Sequence, residues 1–376
     1  MSCPFPPEIL DLIVGHLHDE PATLKTCCVV SKSWIPRARR HLFASIEFSP
    51  QGPTVGSWMK TFPDPSTSPA DYTCTLKVLD IWAATAASHW LRAFRQVVRL
   101  HMVTLATDED QISLVPFHGL WPALRSLRLG FDSIPPSKVF DFMCSFPLLE
   151  DLMLFHIGHE NTSDIWITPS TSPKLTGSLD LGAMWGIWPT ARRLLDLPNG
   201  LHFTRIALVC VHGADLDSTT DLVSECSDTL EYLSVTCNFP GMHHWPLFLI
   251  DTSYLHSVPS TSSFNLSAAT KLKDLTFQCT RPGVRWITAA LQTTESKALQ
   301  RIALYPEDAA LDPSDGKYQE WQDLDRLLLQ FWTSHSIRPR VVYEPDEEGV
   351  DLTDLAPILF PELFRRRLID LVERPS

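Results

Sequence analysis

The chain has 376 residues, 44% of them hydrophobic, enough for a large core and for two or three domains or one repeat array. A formal net charge of −13 argues against a general nucleic-acid binder, which needs basic stripes. No long uncharged apolar run would span a membrane, and the start lacks the basic segment and apolar core of a signal peptide. The 9 cysteines are odd in number, form no CxxC and sit mostly in apolar runs. Reduced, buried thiols in a cytoplasmic and/or nuclear protein are therefore expected.

The first stretch, Pro4–Phe43, predicts three short helices. Pro6 and Pro7 suit a helix start, and Glu8 suits the positive end of its dipole. Ile9, Leu10, Ile13, Val14 and Leu17 then recur at helical spacing. Asp19 before Pro21 reads as a cap and a first-turn proline for a second helix, which carries Leu24, Cys27 and Cys28 inward. Ser31 is placed to cap a third helix, in which Trp34, Ala38, His41 and Leu42 share a face. So small a unit is marginal alone and needs a partner or the domain behind it.

In order, these residues resemble an F-box. The proline-led helix runs through Phe5, Pro6, Pro7, Glu8, Ile9 and Leu10, followed by Leu17, Leu24, Val29, Val30, Ser31, Lys32, Ser33 and Trp34. The usual leading Leu-Pro is Phe5-Pro6 here, and the usual cysteine before the last helix is displaced to Cys27 and Cys28. The segments VSKSW and PRARRHLF, with TFPDPSTSPADYT further on, are also similar to the large F-box group of mushroom-forming fungi. The resemblance implies binding to the Skp-type adaptor of an SCF (Skp–cullin–F-box) ubiquitin ligase, while the rest of the chain recruits a protein substrate. It assigns adaptor contact to Pro7, Ile9, Leu10, Ile13, Leu17, Leu24, Val30 and Trp34, some of which must also pack the helices together.

Ala44–Phe48 alternates and predicts a strand. Ser49–Thr75 is rich in Pro, Ser and Thr and reads as a loop with a helical turn or two. From Leu76 a pattern recurs: apolar, two variable, apolar, one variable, apolar. Its copies are Leu76, Leu79, Ile81; Val97, Leu100, Met102; Leu124, Leu127, Leu129; Leu149, Leu152, Leu154; a slipped Leu179, Leu181; Phe203, Ile206, Leu208; Leu230, Leu233, Val235; Leu272, Leu275, Phe277; and Leu299, Ile302, Leu304. A weaker copy ends at Val341 and Tyr343. The last anchors at 154, 181, 208 and 235 fall 27 residues apart, as do those at 277 and 304. Periods in the twenties suggest leucine-rich repeats.

Helices are expected between the strands, over Ala87–Phe94, Ser137–Phe146, Thr190–Leu195, Ser218–Cys226, Trp286–Gln292 and Gln319–Trp332. The expected fold class is α/β. A three-helix F-box over 1–45 and a connecting strand and loop over 46–75 lead to an irregular leucine-rich-repeat-like solenoid with a parallel sheet over 76–345. An insertion near 238–268 interrupts the solenoid, and a capping helix over 346–376 closes it. The consensus asparagine after the strand is mostly absent, so the copies are irregular.

No catalytic constellation emerges. His156 with His159 and His243 with His244 lack partners at zinc spacing, and GxGxxG, GxxxxGK[ST], HExxH and GxSxG are all missing. The expectation is a non-catalytic protein with no cofactor, no metal site and no nucleic-acid or membrane partner. Residues between the strand anchors would face outward from the sheet: Asp80, Trp82, His101, Val103, Arg128, Met153, Phe155, Asp180, Ser234, Thr236, Thr276, Gln278 and Tyr305. Of these, Trp82, His101, Arg128, Phe155 and Tyr305 are the expected substrate contacts, because aromatic and Arg anchors dominate protein recognition. Two alternatives stand beside the ligase subunit. One is a leucine-rich-repeat scaffold with no ligase role. The other is a small-molecule sensor with a pocket around Trp185, Trp188 and Trp245, which needs a deep cavity. Acidic residues crowd 308–351, which reads as a solvated face.

Overall fold

Three short helices open the chain: α1 (Pro7–His16), α2 (Pro21–Val30) and α3 (Ile35–Leu42). Each has proline in its first turn, where a missing N–H costs nothing. Val14, Leu24, Cys27 and Ala38 form their buried cluster, with Leu17, Cys28, Trp34 and Leu42 packed against it. Ser31 does not cap α3; its Oγ accepts from the Ser33 amide at 3.4 Å, and Trp34 is the residue at the helix start. The computed structural model describes residues 6–79, 81–104, 113–131, 134–155, 169–182, 188–210, 213–237, 264–279, 283–306, 318–343 and 352–373. They fall in two units, Met1–Lys174 and Leu175–Ser376.

In the first unit α3 runs directly into β1 (Ser45–Phe48). Helix α4 (Val55–Thr61) follows, with a capping box between Thr54 and Ser57. Then come β2 (Thr75–Val78), α5 (Ile81–Ala86), α6 (Ser88–Leu91), β3 (Arg99–Thr104), β4 (Ser126–Phe131), α7 (Pro136–Cys144) and β5 (Asp151–Phe155). The strands pair in parallel, in chain order. Leu76, Leu100, Leu127 and Leu152 lie in one register row, and Val78, Met102, Leu129 and Leu154 in the next. All eight are buried. Parallel strands joined by helices bury one face this way.

The second unit contains β6 (Ser178–Gly182), α8 (Trp188–Leu195), β7 (Arg205–Cys210), α9 (Gly213–Glu225), β8 (Tyr232–Cys237), β9 (Asp274–Cys279), α10 (Gly283–Thr293), β10 (Arg301–Pro306), α11 (Gln319–His335), β11 (Arg340–Tyr343), α12 (Leu352–Leu359), α13 (Pro361–Arg365) and β12 (Asp370–Glu373). Its strands also pair in parallel, in chain order. Leu179, Ile206, Leu233, Leu275 and Ile302 make one buried row, and Leu181, Leu208, Val235, Phe277 and Leu304 the next.

One backbone junction recurs at the strand entries. A single carbonyl accepts from two successive amides of the next strand: Ala44 from Cys74 and Thr75, Cys74 from Val98 and Arg99, Val98 from Arg125 and Ser126, and Arg125 from Glu150 and Asp151. In the second unit Gly177, Thr204, Glu231 and Lys273 play the same part. The expected helices form close to their expected bounds, and the β8–β9 register carries across the long gap after Val235.

Two local expectations are corrected. The first apolar copy is offset by three residues: the strand anchors are Leu76 and Val78, while Leu79 follows the strand and Ile81 opens α5. Thr73 holds the position that Val97, Leu124 and Leu149 hold in later copies, and it is fully buried. A threonine at the first anchor hid the true frame. The C-terminal stretch is also not a single capping helix. Pro361 opens a separate short helix, Arg367 takes a left-handed backbone (φ 57°), and the last described residues form β12, paired with β11.

Candidate functional site

Two surfaces of the first unit carry chemistry. One belongs to the opening helices. On α1, Leu10, Val14 and Leu17 lie at i, i+4 and i+7 and point into the structure, and Leu10 is 2% exposed. Ile9, Leu12 and Ile13, at i, i+3 and i+4, form a second apolar face turned to solvent, with Leu12 61% exposed. Val29 and Val30 at the end of α2 are exposed at 82% and 64%. Five of the nine large hydrophobic side chains exposed among the described residues therefore lie in these two helices. Three on one helix face differ from the singly scattered apolar residues of ordinary surfaces.

The residues expected to contact an adaptor divide accordingly. Ile9, Ile13 and Val30 are exposed. Leu10 and Leu24 are buried, and Leu17 and Trp34 pack on the helical core. The side chain of Pro7 lies outside the described residues. Leu12 and Val29 were not expected. The signal for Leu12 was an apolar stripe on α1 wider than the packing of three helices requires. An ion pair between Arg37 and Asp11 at 2.6 Å ties α3 to α1 and holds the exposed face in place.

The second surface is the outer face of β1–β5. Glu47, Lys77, His101, Arg128 and Met153 share one register row, and Val103, Gly130 and Phe155 the next. Lys77 pairs with Glu47 at 3.1 Å. The Arg128 guanidinium lies 4.9 Å from the centre of the Phe155 ring, and the His101 ring meets the same ring edge-on at 6.2 Å. The Phe155 ring sits directly over Gly130, where an added Cβ would come within 2.2 Å of it. Only glycine permits that approach. His101 Nε2 is buried without a hydrogen-bond partner. Burial first, then the positive charges of Arg128 and Lys77, push the His101 pKa down to about 4. This imidazole is neutral at physiological pH.

Three expected substrate contacts, His101, Arg128 and Phe155, thus meet on adjacent strands. Trp82 does not join them: it lies in α5 instead of a strand, and its side chain is outside the described residues. Tyr305 belongs to the second unit, in register with Gln278. The outer row there runs from Asp180 through Ala207, Ser234, Thr276 and Ala303 to Arg340, so its four middle members are small and uncharged. Thr236 and Gln278 meet at 3.5 Å. Asp80, His156, His159, Trp185, His243, His244, Trp245, most of the 238–268 insertion and the acidic run at 344–351 lie outside the described residues, as does the side chain of Trp188.

Elsewhere the buried polar groups serve the fold. Asp325, 1% exposed, accepts from the backbone amides of Glu362 and Leu363 at 2.8 and 3.1 Å, so α11 caps α13. Burial raises its pKa against those two bonds. Cys27, Cys28, Cys74, Cys144, Cys210, Cys226 and Cys237 are not joined in disulfides. Burial pushes Cys144 and Cys226 up to about 12, which removes them as nucleophiles. Among the described residues no group of three or more His, Cys, Asp or Glu could hold a metal ion, and no helix is long and apolar enough to cross a membrane.

No family model matches this chain, and no curated protein matches its sequence.

Proposed function

We propose that this chain is a substrate-recognition subunit of an SCF-type E3 ubiquitin ligase. The opening helices act as an F-box that docks on a Skp-type adaptor and, through it, on a cullin–RING ligase. The strand–helix units act as an irregular leucine-rich-repeat-like solenoid that holds a protein substrate for ubiquitination and degradation. The mechanism is geometric. The chain performs no chemistry; it raises the local concentration of substrate lysines near the ubiquitin-charged enzyme.

The observation that carries the reading is the outward face of α1. Ile9, Leu12 and Ile13 stay exposed although the helix already buries Leu10 and Val14 on an adjacent face. An apolar helix face left in water suits burial in a partner. The repeated strand-entry junction and the aligned aliphatic rows support the repeat reading. The sequence order around Pro6, Leu17, Leu24 and Trp34 supports the F-box.

The test is co-expression with a Skp-type adaptor followed by size-exclusion chromatography. Wild type is expected to elute as a one-to-one complex, and Leu12→Asp to elute alone with an unchanged circular-dichroism spectrum and melting temperature. Leu12 is the right target because a charge at buried Leu10 would disturb the fold itself. A folded, soluble wild type that ignores the adaptor would sink the ligase reading and leave a repeat scaffold without a ligase role.

A further inference from the structure

We infer that the outer face of β3–β5 binds an Asp- or Glu-bearing peptide segment of a partner protein, the carboxylate gripped by Arg128 and a neighbouring apolar side chain seated on Val103 and Met153. This deepens the receptor reading and rests on it, because it names the chemical class of the substrate segment.

The argument starts from charge matching. Several cations along these strands have a carboxylate from the adjacent strand or its entry: Lys77 has Glu47, Arg125 has Glu150, Lys273 has Glu231, Arg301 has Asp274 and Arg338 has Asp370. Arg128 is exposed and, among the described residues, makes no such ion pair. A ring fills the place of the acid. Its guanidinium carbon stands over the Phe155 ring, which holds the group in place and leaves its N–H donors for an oxygen pair arriving from solvent. The ring cannot sink away, since it already rests on the Gly130 backbone.

Beside this fork lies His101 Nε2, buried and without a partner. That nitrogen has no surface open to a ligand from solvent, so the ring forms a side wall of the site and Arg128 alone grips the carboxylate. Met153 ends the charged row and Val103 stands in the next, both half-buried and uncharged, and they provide the apolar seat.

The same face favours a carboxylate over a phosphate. Lys77 is already neutralised by Glu47, and Asp151 stands on the same strand face two residues before Met153. One unmatched guanidinium suits a single negative charge with two oxygens. A dianion would call for a cluster of cations and would meet both acids.

The experiment uses the full chain and fluorescein-labelled peptides in which Glu alternates with Leu and Ser, beside versions carrying Gln or phosphoserine at the Glu positions. Anisotropy titration is expected to show the Glu peptide binding about tenfold tighter than the Gln peptide. Arg128→Gln is expected to remove that preference, and Arg128→Lys, which keeps the charge and loses the fork, to restore it only in part. Equal binding of Glu and Gln peptides, or a preference that survives Arg128→Gln, would overturn the proposal. So would a phosphoserine peptide that binds far more tightly than the Glu peptide. Unchanged thermal melts of both variants exclude misfolding as the cause. Adaptor binding, read on the same proteins, keeps the two claims apart. Retained adaptor binding with no acidic preference defeats only this proposal, and acidic preference without adaptor binding defeats only the ligase reading.

Discussion

The two units share an inner face and differ on the outer one. Inside, both stack aliphatic rows in parallel register: Leu76, Leu100, Leu127 and Leu152 in the first, and Leu179, Ile206, Leu233, Leu275 and Ile302 in the second. Outside, the first unit groups Lys77, His101, Arg128 and Phe155 on neighbouring strands, whereas the second places the small residues Ala207, Ser234, Thr276 and Ala303 between Asp180 and Arg340. The alternation of a strand explains how this is possible. Successive side chains face opposite ways, so the inner row can be fixed by packing while the outer row varies freely. The scaffold is therefore written twice in the same terms, and recognition chemistry only once in this form.

The largest effect tests the shared half. Leu127 and Leu233 occupy equivalent inner positions and are 1% and 0% exposed. Leu127→Ala and Leu233→Ala should each cost about 2–5 kcal/mol in chemical denaturation, as buried Leu-to-Ala changes do. A cost much below this in one unit would break the equivalence. A smaller effect tests the half that differs. Gly130→Ala would drive a methyl into the Phe155 ring and should cost about 1–3 kcal/mol while dispersing the Arg128 stack. Thr236, at the corresponding outer position of the second unit, should tolerate alanine within about 0.5 kcal/mol. Equal costs at the two sites would mean that the Phe155 ring moves aside without consequence.

Much of this scaffold was legible in the sequence, because a constant spacing of aliphatic anchors has few explanations other than stacked strands. The frame failed where polarity broke the pattern, as at Thr73, a buried hydroxyl in an apolar slot. It failed again at the C-terminus, where the spacing of Leu363, Leu368 and Leu371 suits a helix but Arg367 adopts a left-handed backbone and β12 forms instead. The outer face was half legible. Alternation placed His101, Arg128 and Phe155 outward, and register brought them together. The closeness of the ring to Gly130 is a three-dimensional fact that no spacing reveals. Helix α1 shows the same limit. Its apolar period marked Ile9 and Leu10 alike, and only packing separated an exposed face from a buried one.

A change of pH sharpens the comparison without altering any contact. The row through Ala207, Ser234, Thr276 and Ala303, which runs from Asp180 to Arg340, contains no histidine, while its counterpart contains His101. Burial, then Arg128, then Lys77, hold the His101 pKa near 4 against an ordinary 6.5, with Glu47 opposing weakly. A lowered histidine pKa means the unfolded chain takes up a proton that the folded chain refuses. His101 therefore contributes its full share of stability above about pH 6.5, loses it progressively as pH falls toward about 4, and contributes no further slope below that. The difference in unfolding free energy between wild type and His101→Gln, followed from pH 7 to pH 4, should change across that window and be flat outside it. Arg128→Gln should narrow the window by letting the His101 pKa rise, which an NMR titration of the ring would read directly. A His101 that titrates at its ordinary pKa in the wild-type protein would mean that the ring is solvated, and a shifted histidine would no longer distinguish the two outer faces.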